Sequence, residues 1–158
     1  TFADSAQEIF WQMSVVTDAL TAVEIGVRDD GVTSMHDATE CGIWGGLYEV
    51  ARASRVGMFI EKDKIVTQDA ILKICDLFKI DPYASISEGT LLLTCRPHKA
   101  DALLSQFKRR NIPASVMGEV TNESRGIILK EGHLERKLEH PRVDPFWAAF
   151  GKQAAQPA

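Results

Sequence analysis

Between His36 and Cys41 the chain carries an imidazole, two carboxylates, a hydroxyl and a thiol in the run Val32-Thr33-Ser34-Met35-His36-Asp37-Ala38-Thr39-Glu40-Cys41-Gly42-Ile43-Trp44-Gly45-Gly46-Leu47-Tyr48-Glu49. β-Branched residues lead into a polar segment and then into a glycine-spaced apolar helix. The N–H groups of such a helix start lack intrahelical acceptors, and with the helix dipole they attract anions. The expected ligand is a phosphate, reached through a helix N-terminus open to a cleft.

Each side chain has a second reading. Asp37 faces a phosphate through water or magnesium, or caps the helix; Thr39 donates to a phosphate oxygen, or caps. Glu40 contacts substrate or closes a capping box. His36 is either an acid near neutral pH or a hydrogen-bonded wall residue. Cys41 at a helix start is placed where a thiol pKa can fall. Trp44 and Tyr48 read as packing residues on the helix flank.

The elements that must position these groups follow from periodicity. Ile9, Met13, Val16 and Leu20 fall on one face of a helix expected over 6–23, with Phe10 and Trp11 widening it. Asp29-Asp30-Gly31 is a turn, and Val32 to Met35 a short strand that feeds the motif. Ile43, Leu47, Val50 and Ala51 line a helix ending near Ser54. Gly57 to Glu61 is a strand, and 68–78 a helix with Ile71, Leu72 and Cys75 inward. Ser87-Glu88-Gly89 introduces the strand Thr90 to Cys95, where a simple turn also suffices. Pro97 opens a helix with Ala100, Leu103, Leu104 and Phe107 on one face. Ala114 to Val120 and Gly126 to Lys130 complete the strands. This succession predicts an α+β (α/β sandwich) fold, with a mixed sheet of about four strands and flanking helices. Residues 1–30 form a linker helix region, and 131–158 a polar tail tacked down by Phe146, Trp147 and Phe150, with a frayed end at 153–158.

The order of motifs resembles the C-terminal domain of the aminoimidazole ribonucleotide (AIR) synthase superfamily. That superfamily includes AIR synthase, selenophosphate synthetase, thiamine-monophosphate kinase and the hydrogenase-maturation protein HypE, and the nearest likeness is to HypE-like, AIR-synthase-related proteins. The resemblance rests on Met35-His36-Asp37-Ala38-Thr39-Glu40 with its glycine-rich helix and Glu49, then Gly57-Met58-Phe59-Ile60-Glu61, Asp76-Leu77-Phe78-Lys79-Ile80-Asp81-Pro82, Ser87-Glu88-Gly89-Thr90-Leu91-Leu92 and Ile112-Pro113-Ala114-Ser115-Val116-Met117-Gly118-Glu119-Val120. It covers roughly Val32 to Lys130.

The resemblance implies a PurM C-terminal-like domain that closes the cleft of an ATP- and Mg²⁺-dependent enzyme activating a substrate oxygen. Asp37, Thr39, Glu40 and Gly42 become nucleotide or phosphate contacts, and His36, Ser87, Glu88 and Gly89 substrate contacts. It also implies an N-terminal ATP-binding domain as partner, a homodimer and a small-molecule substrate. The acidic metal-binding stretch of that domain is absent from these 158 residues, so the chain by itself is expected not to turn over ATP. Relatives usually carry Gly where Cys41 stands, which speaks against covalent chemistry. HypE proper ends in a Pro-Arg-Ile-Cys-like tail whose cysteine carries the carbamoyl group. Here Pro141-Arg142-Val143 is followed by Asp144, and no cysteine occurs after Cys95. The expected function is therefore an AIR-synthase-related enzyme, with a HypE-like factor or a non-enzymatic dimerisation or ligand-binding module as the other readings.

Composition sets the outer bounds. A chain of 158 residues, 45% hydrophobic and 25% charged, can bury a core as one domain. A net charge of −4 argues against nucleic acid, and Lys108-Arg109-Arg110 reads as a solvated helix end. No run approaches the ~20 apolar residues of a membrane span. Cys41, Cys75 and Cys95 have no metal-finger spacing and suit a reducing cytoplasm, and no metal site is expected. The start at Thr1 without Met reads as a piece of a longer protein.

Overall fold

The structure is a computed structural model that describes residues 2–154. In chain order the elements are α1 (Phe2–Ile9), α2 (Val16–Val23), β1 (Val32–Ala38), α3 (Gly42–Ser54), β2 (Val56–Glu61), α4 (Asp69–Phe78), β3 (Thr90–Cys95), α5 (Ala100–Arg109), β4 (Gly118–Asn122), β5 (Ile127–Glu131), β6 (Leu134–Lys137) and α6 (Pro145–Ala154). The strands form a four-stranded mixed sheet, β4-β2-β5-β6, and a separate two-stranded ribbon, β1-β3. Within the sheet β2 and β5 run parallel and the other pairs antiparallel. The expected fold class is met, with the ribbon as an addition.

Helix α3 is the hub. Its apolar side chains Ile43, Trp44, Leu47 and Ala51 share one buried cluster with Ala38 and Leu92 of the ribbon and with Met58, Ile60, Ile127 and Leu129 of the sheet. A helix buried on both sides needs a wide apolar surface, and its glycines let the ribbon come close. A Cβ at Gly46 would stand 2.7 Å from Leu92 Cδ1 and 3.2 Å from Ala38 Cβ. The ribbon's other neighbours, α2 and α5, close a second cluster of Ala22, Val32, Leu103 and Phe107.

Four local expectations are corrected. The helix over 6–23 breaks: a 3-10 turn spans Phe10–Gln12, Ser14 Oγ accepts from Val16 N at 3.4 Å, and a new helix begins at Val16 with Val15 as its N-cap. Val16 and Leu20 are consequently exposed, while Thr21 and Ala22 face inward. In α4 the inward residue is Cys75, and Leu72 is exposed. β4 begins at Gly118 because the preceding segment is tied elsewhere, Ser115 Oγ donating to the Lys64 carbonyl. The tail after 131 is structured: a two-residue Gly132-His133 turn, with Gly132 at φ 57°, pairs β5 with β6, and Leu138 enters the core. Its buried anchors are Leu138 and Asp144; of the expected aromatic anchors Phe146 is half-buried, Trp147 is exposed but bonded to Glu40, and Phe150 is exposed. The frayed end expected over 153–158 falls mostly outside the described residues, which stop at 154.

Candidate functional site

The strand that feeds the motif continues past Met35 to Ala38, so Asp37 is a strand residue paired with Leu91 and is not a cap. Alternation along β1 then separates neighbours. His36 and Ala38 turn toward α3, while Asp37 is exposed on the opposite face. His36 Nε2 lies 2.6 Å from Glu49 Oε2 on α3, which makes His36 a paired wall residue on that side.

Helix α3 starts later and differently from the expected capped junction. Its N-cap is Cys41, in the left-handed region at φ 62°, and no side chain of its own caps it; Gly42 follows at φ 59°. Two consecutive left-handed residues reverse the chain. Gly42 is required there, since a Cβ would meet the Ser85 and Tyr83 carbonyls at 2.5 and 2.6 Å. The helix start is buried and three of its donors are committed: Gly42 N to the Thr39 carbonyl, Trp44 N to the Tyr83 carbonyl, and Gly45 N to the Cys41 carbonyl. Cys41 N donates to Asp144 Oδ2 at 2.7 Å. The expectation of a helix N-terminus open to a cleft is thus corrected: a carboxylate from the C-terminal segment and neighbouring carbonyls satisfy those amides.

What the fold does bring together is the exposed rim in front of this turn. The Thr39 carbonyl accepts from both Gly42 N (3.1 Å) and Ser87 N (3.0 Å), joining the loop after β1 to the loop before β3. The β1-β3 register continues this, with Ala38 opposite Thr90. Ser87 Oγ and Thr90 Oγ1 are 2.8 Å apart. Asp37, Thr39, Glu40 and Glu88 have exposed side chains on this rim. Gly89, at φ 80°, is backed by the N-terminal segment, where a Cβ would lie 2.8 Å from Met13 Cα.

Beside the rim a cavity of about 280 Å³ lies between Glu40, Cys41 and Glu49 on one wall and His140, Arg142, Asp144 and Trp147 on the other. Trp147 Nε1 donates to Glu40 Oε1 at 2.8 Å, and the Tyr48 and His140 rings meet edge to face at 5.1 Å. Burial raises the Cys41 thiol pKa, and the negative charges of Asp144, Glu40 and Glu49 raise it further, so it stays protonated rather than forming the nucleophile a helix start can create. Behind the wall Trp44 is buried, donates from Nε1 to Asp81 Oδ2 at 3.1 Å and stacks on Tyr83, as a packing residue should.

The donor set defines what can bind. Carboxylates outnumber cations around rim and cavity, and among the described residues no three His, Cys, Asp or Glu side chains group to hold a metal ion. A polyanion needs cations or donors that this surface does not concentrate, whereas a metal–nucleotide complex held from the opposite side suits hydroxyls and single carboxylates. The hydroxyls and single carboxylates present could contact a metal–nucleotide complex, but the described residues do not gather the cations that would hold a triphosphate.

Asp144 and Trp147 were missed by the reading of the motif. Their signal was present: Asp144-Pro145 is an N-cap followed by proline at the first helical position, and Asp144 Oδ1 indeed accepts from Phe146 N at 2.8 Å.

Comparison with known proteins bears on the family and the fold. A family model described as AIR synthase related protein, C-terminal domain, matches residues 8–131. A hydrogenase expression/formation protein of Methanocaldococcus jannaschii is 28% identical over 123 residues, covering 75% of this chain and 37% of the relative. The crystal structure of Escherichia coli HypE superposes with a TM-score of 0.70 at 24% identity, covering 83% of this chain and 41% of that one. A HypE structure in complex with ATP superposes with a TM-score of 0.60 at 20% identity, over 70% and 37% of the respective chains. These two structural likenesses speak for the fold. The chain spans about two fifths of the length of these proteins.

Proposed function

The chain belongs to the AIR synthase related protein C-terminal domain family, and we propose that it is the half of an ATP-dependent enzyme that closes the nucleotide and substrate cleft. The observation that carries this reading is the joined rim: two loops remote in sequence, 36–42 and 87–90, are tied through the Thr39 carbonyl and present exposed hydroxyl and carboxylate groups side by side. The matched region contains both loops.

ATP, when bound, supplies the phosphoryl group that activates a substrate oxygen. On this chain Thr39 offers a hydroxyl donor to a phosphate oxygen, and Asp37 is the carboxylate that would hold Mg²⁺ or its water. Glu40, fixed by Trp147, borders the same edge. Ser87 and Glu88 are the substrate-side contacts. His36, paired with Glu49, lines the adjacent wall. Gly42 and Gly89 act through backbone shape. Most phosphate contacts and the remaining metal ligands belong to an upstream ATP-binding half, which matches the scarcity of cations here. The domain also works as part of a homodimer in this reading.

The relatives named for hydrogenase maturation favour a HypE-like factor as the second reading. The residues at 141–144 speak against its carbamoyl chemistry. Where the resemblance places a group-carrying cysteine after Pro141-Arg142-Val143, Asp144 stands with 1% exposure, bonded inward.

Calorimetry of the 158-residue chain with Mg-ATP, beside the longer protein carrying the upstream half, tests the allocation. The expected result is binding only in the longer protein. Micromolar binding by the 158-residue chain would overturn it.

A further inference from the structure

Resting on that reading of the rim, we propose that residues 138–147, which lie beyond the family-matched region, are a clamp that sets the conformation of the Thr39–Gly42 turn, with Asp144 as its positioning residue. Cys41 at φ 62° holds a left-handed conformation that a non-glycine residue keeps only when its surroundings enforce it. One side of the turn is held from within the matched region, through Trp44 N on the Tyr83 carbonyl. Ser87 N on the Thr39 carbonyl holds it from that region as well, and the 138–147 segment adds the bonds at Glu40 and Cys41, through Trp147 Nε1 on Glu40 Oε1 and Asp144 Oδ2 on Cys41 N.

The segment is itself fixed at both ends. Leu138 N donates to the Ile127 carbonyl at 2.8 Å and its side chain is buried in the main core. At the other end Asp144 caps α6 through Phe146 N. A carboxylate at 1% exposure is costly unless compensated. Here the starts of α3 and α6 converge on it, each contributing an amide donor and the positive end of a helix dipole. That arrangement makes the carboxylate a fixed joint between the tail and the turn.

The buried Cys41 thiol, adjacent to the joint, gives a direct readout. Native 158-residue chain is treated with iodoacetamide and the modification of each cysteine is followed by mass spectrometry, Cys75 and Cys95 serving as internal controls. Asp144→Ala is expected to raise Cys41 modification at least tenfold with the controls unchanged. Asp144→Asn keeps one acceptor oxygen, which can serve Cys41 N but then sets its NH2 against Phe146 N, and is expected to give a smaller, Cys41-specific rise than Asp144→Ala. Trp147→Phe keeps a half-exposed ring, removes the Glu40 bond and is expected to give an intermediate, Cys41-specific rise. If Asp144→Ala unfolds, all three cysteines rise together, and Trp147→Phe with Asp144→Asn then decide. Unchanged Cys41 in Trp147→Phe, or Asp144→Asn as reactive as an unfolded chain, overturns the clamp.

In the longer protein Asp144→Ala should lower kcat for ATP hydrolysis at least tenfold, with Asp144→Asn, which keeps one of the two bonds, falling less far. Wild-type kcat in a variant whose Cys41 is freed overturns the positioning role. If Thr39→Ala also leaves turnover intact, it is the reading of the rim that has failed, and the alkylation result still judges the clamp.

Discussion

Replacing Asp37 separates a binding residue from a structural one, because the structure removes its structural duties in advance. It lies in β1, exposed, with no side-chain hydrogen bond among the described residues, and α3 takes Cys41 as its N-cap. Loss of a helix cap typically costs about 1 kcal/mol, whereas an exposed substitution away from such features stays within about 0.5 kcal/mol. Asp is moreover a poor strand former, so Ala or Asn at this position gives up little. With a urea slope of about 2 kcal/mol per molar, Asp37→Ala and Asp37→Asn in the 158-residue chain should each move the unfolding midpoint by no more than about 0.25 M. In the longer protein the same changes should cut ATP turnover at least tenfold, since each 1.36 kcal/mol of lost transition-state stabilisation is a factor of ten. Asn preserves size and removes the charge, so it should fall nearly as far as Ala. A midpoint loss equivalent to about 1 kcal/mol or more, or turnover within twofold of the native protein, would refute the assignment.

Other expectations follow from neighbouring features. Gly46→Ala gains helix propensity of about 1 kcal/mol, yet its methyl would meet the strand-borne Ala38 Cβ at 3.2 Å and Leu92 Cδ1 at 2.7 Å; net destabilisation of about 1 kcal/mol by denaturant titration is expected, and a gain would contradict the tight ribbon contact. Asp81→Ala strands the buried Trp44 Nε1 and should cost about 1–3 kcal/mol, with quenched or shifted tryptophan fluorescence as a second signature. All three thiols have pKa values raised by burial, so the unfolded chain ionises first as pH rises. Their contribution is therefore intact below the unfolded thiol value of about 8.5 and lost above it, and thermal scans from pH 7 to 10 should show falling stability in that upper range. Constant stability there would contradict the burial of the thiols. Glu61 is held below the usual carboxylate range by its hydrogen bond to Lys64 and the charges of Lys64 and Lys130, so its contribution is present above about pH 4.3 and fades as pH falls through the lowered value. Glu61→Gln should flatten that acid limb.

The sheet and its helices were legible because their patterns are strong. β2, β5 and α3 carry long apolar runs whose burial follows from period alone, and the predicted bounds differ from the observed ones by a residue or two. Where the reading failed, local chemistry was ambiguous. Asp37 looks like a cap because Asp usually is one, yet β pairing with Leu91 carries the strand through it. The apolar spacing of Ile9, Met13, Val16 and Leu20 suggested one continuous helix, yet the chain breaks at the 3-10 turn Phe10–Gln12. β6 has four exposed residues and no apolar period, so only the Gly132-His133 turn announced it. Within the candidate site, the rim residues were named by motif, while the joint at Asp144 links positions 103 residues apart and is visible only in three dimensions.

The central claim is that the rim formed by 36–42 and 87–90 faces the nucleotide cleft, and hydrogen exchange of the longer protein with and without Mg-ATP tests it most directly. Both segments are predicted to gain protection on nucleotide binding, while the β4 and β6 edges of the sheet stay unchanged. Saturating nucleotide that leaves 36–42 and 87–90 exchanging as before would contradict the account.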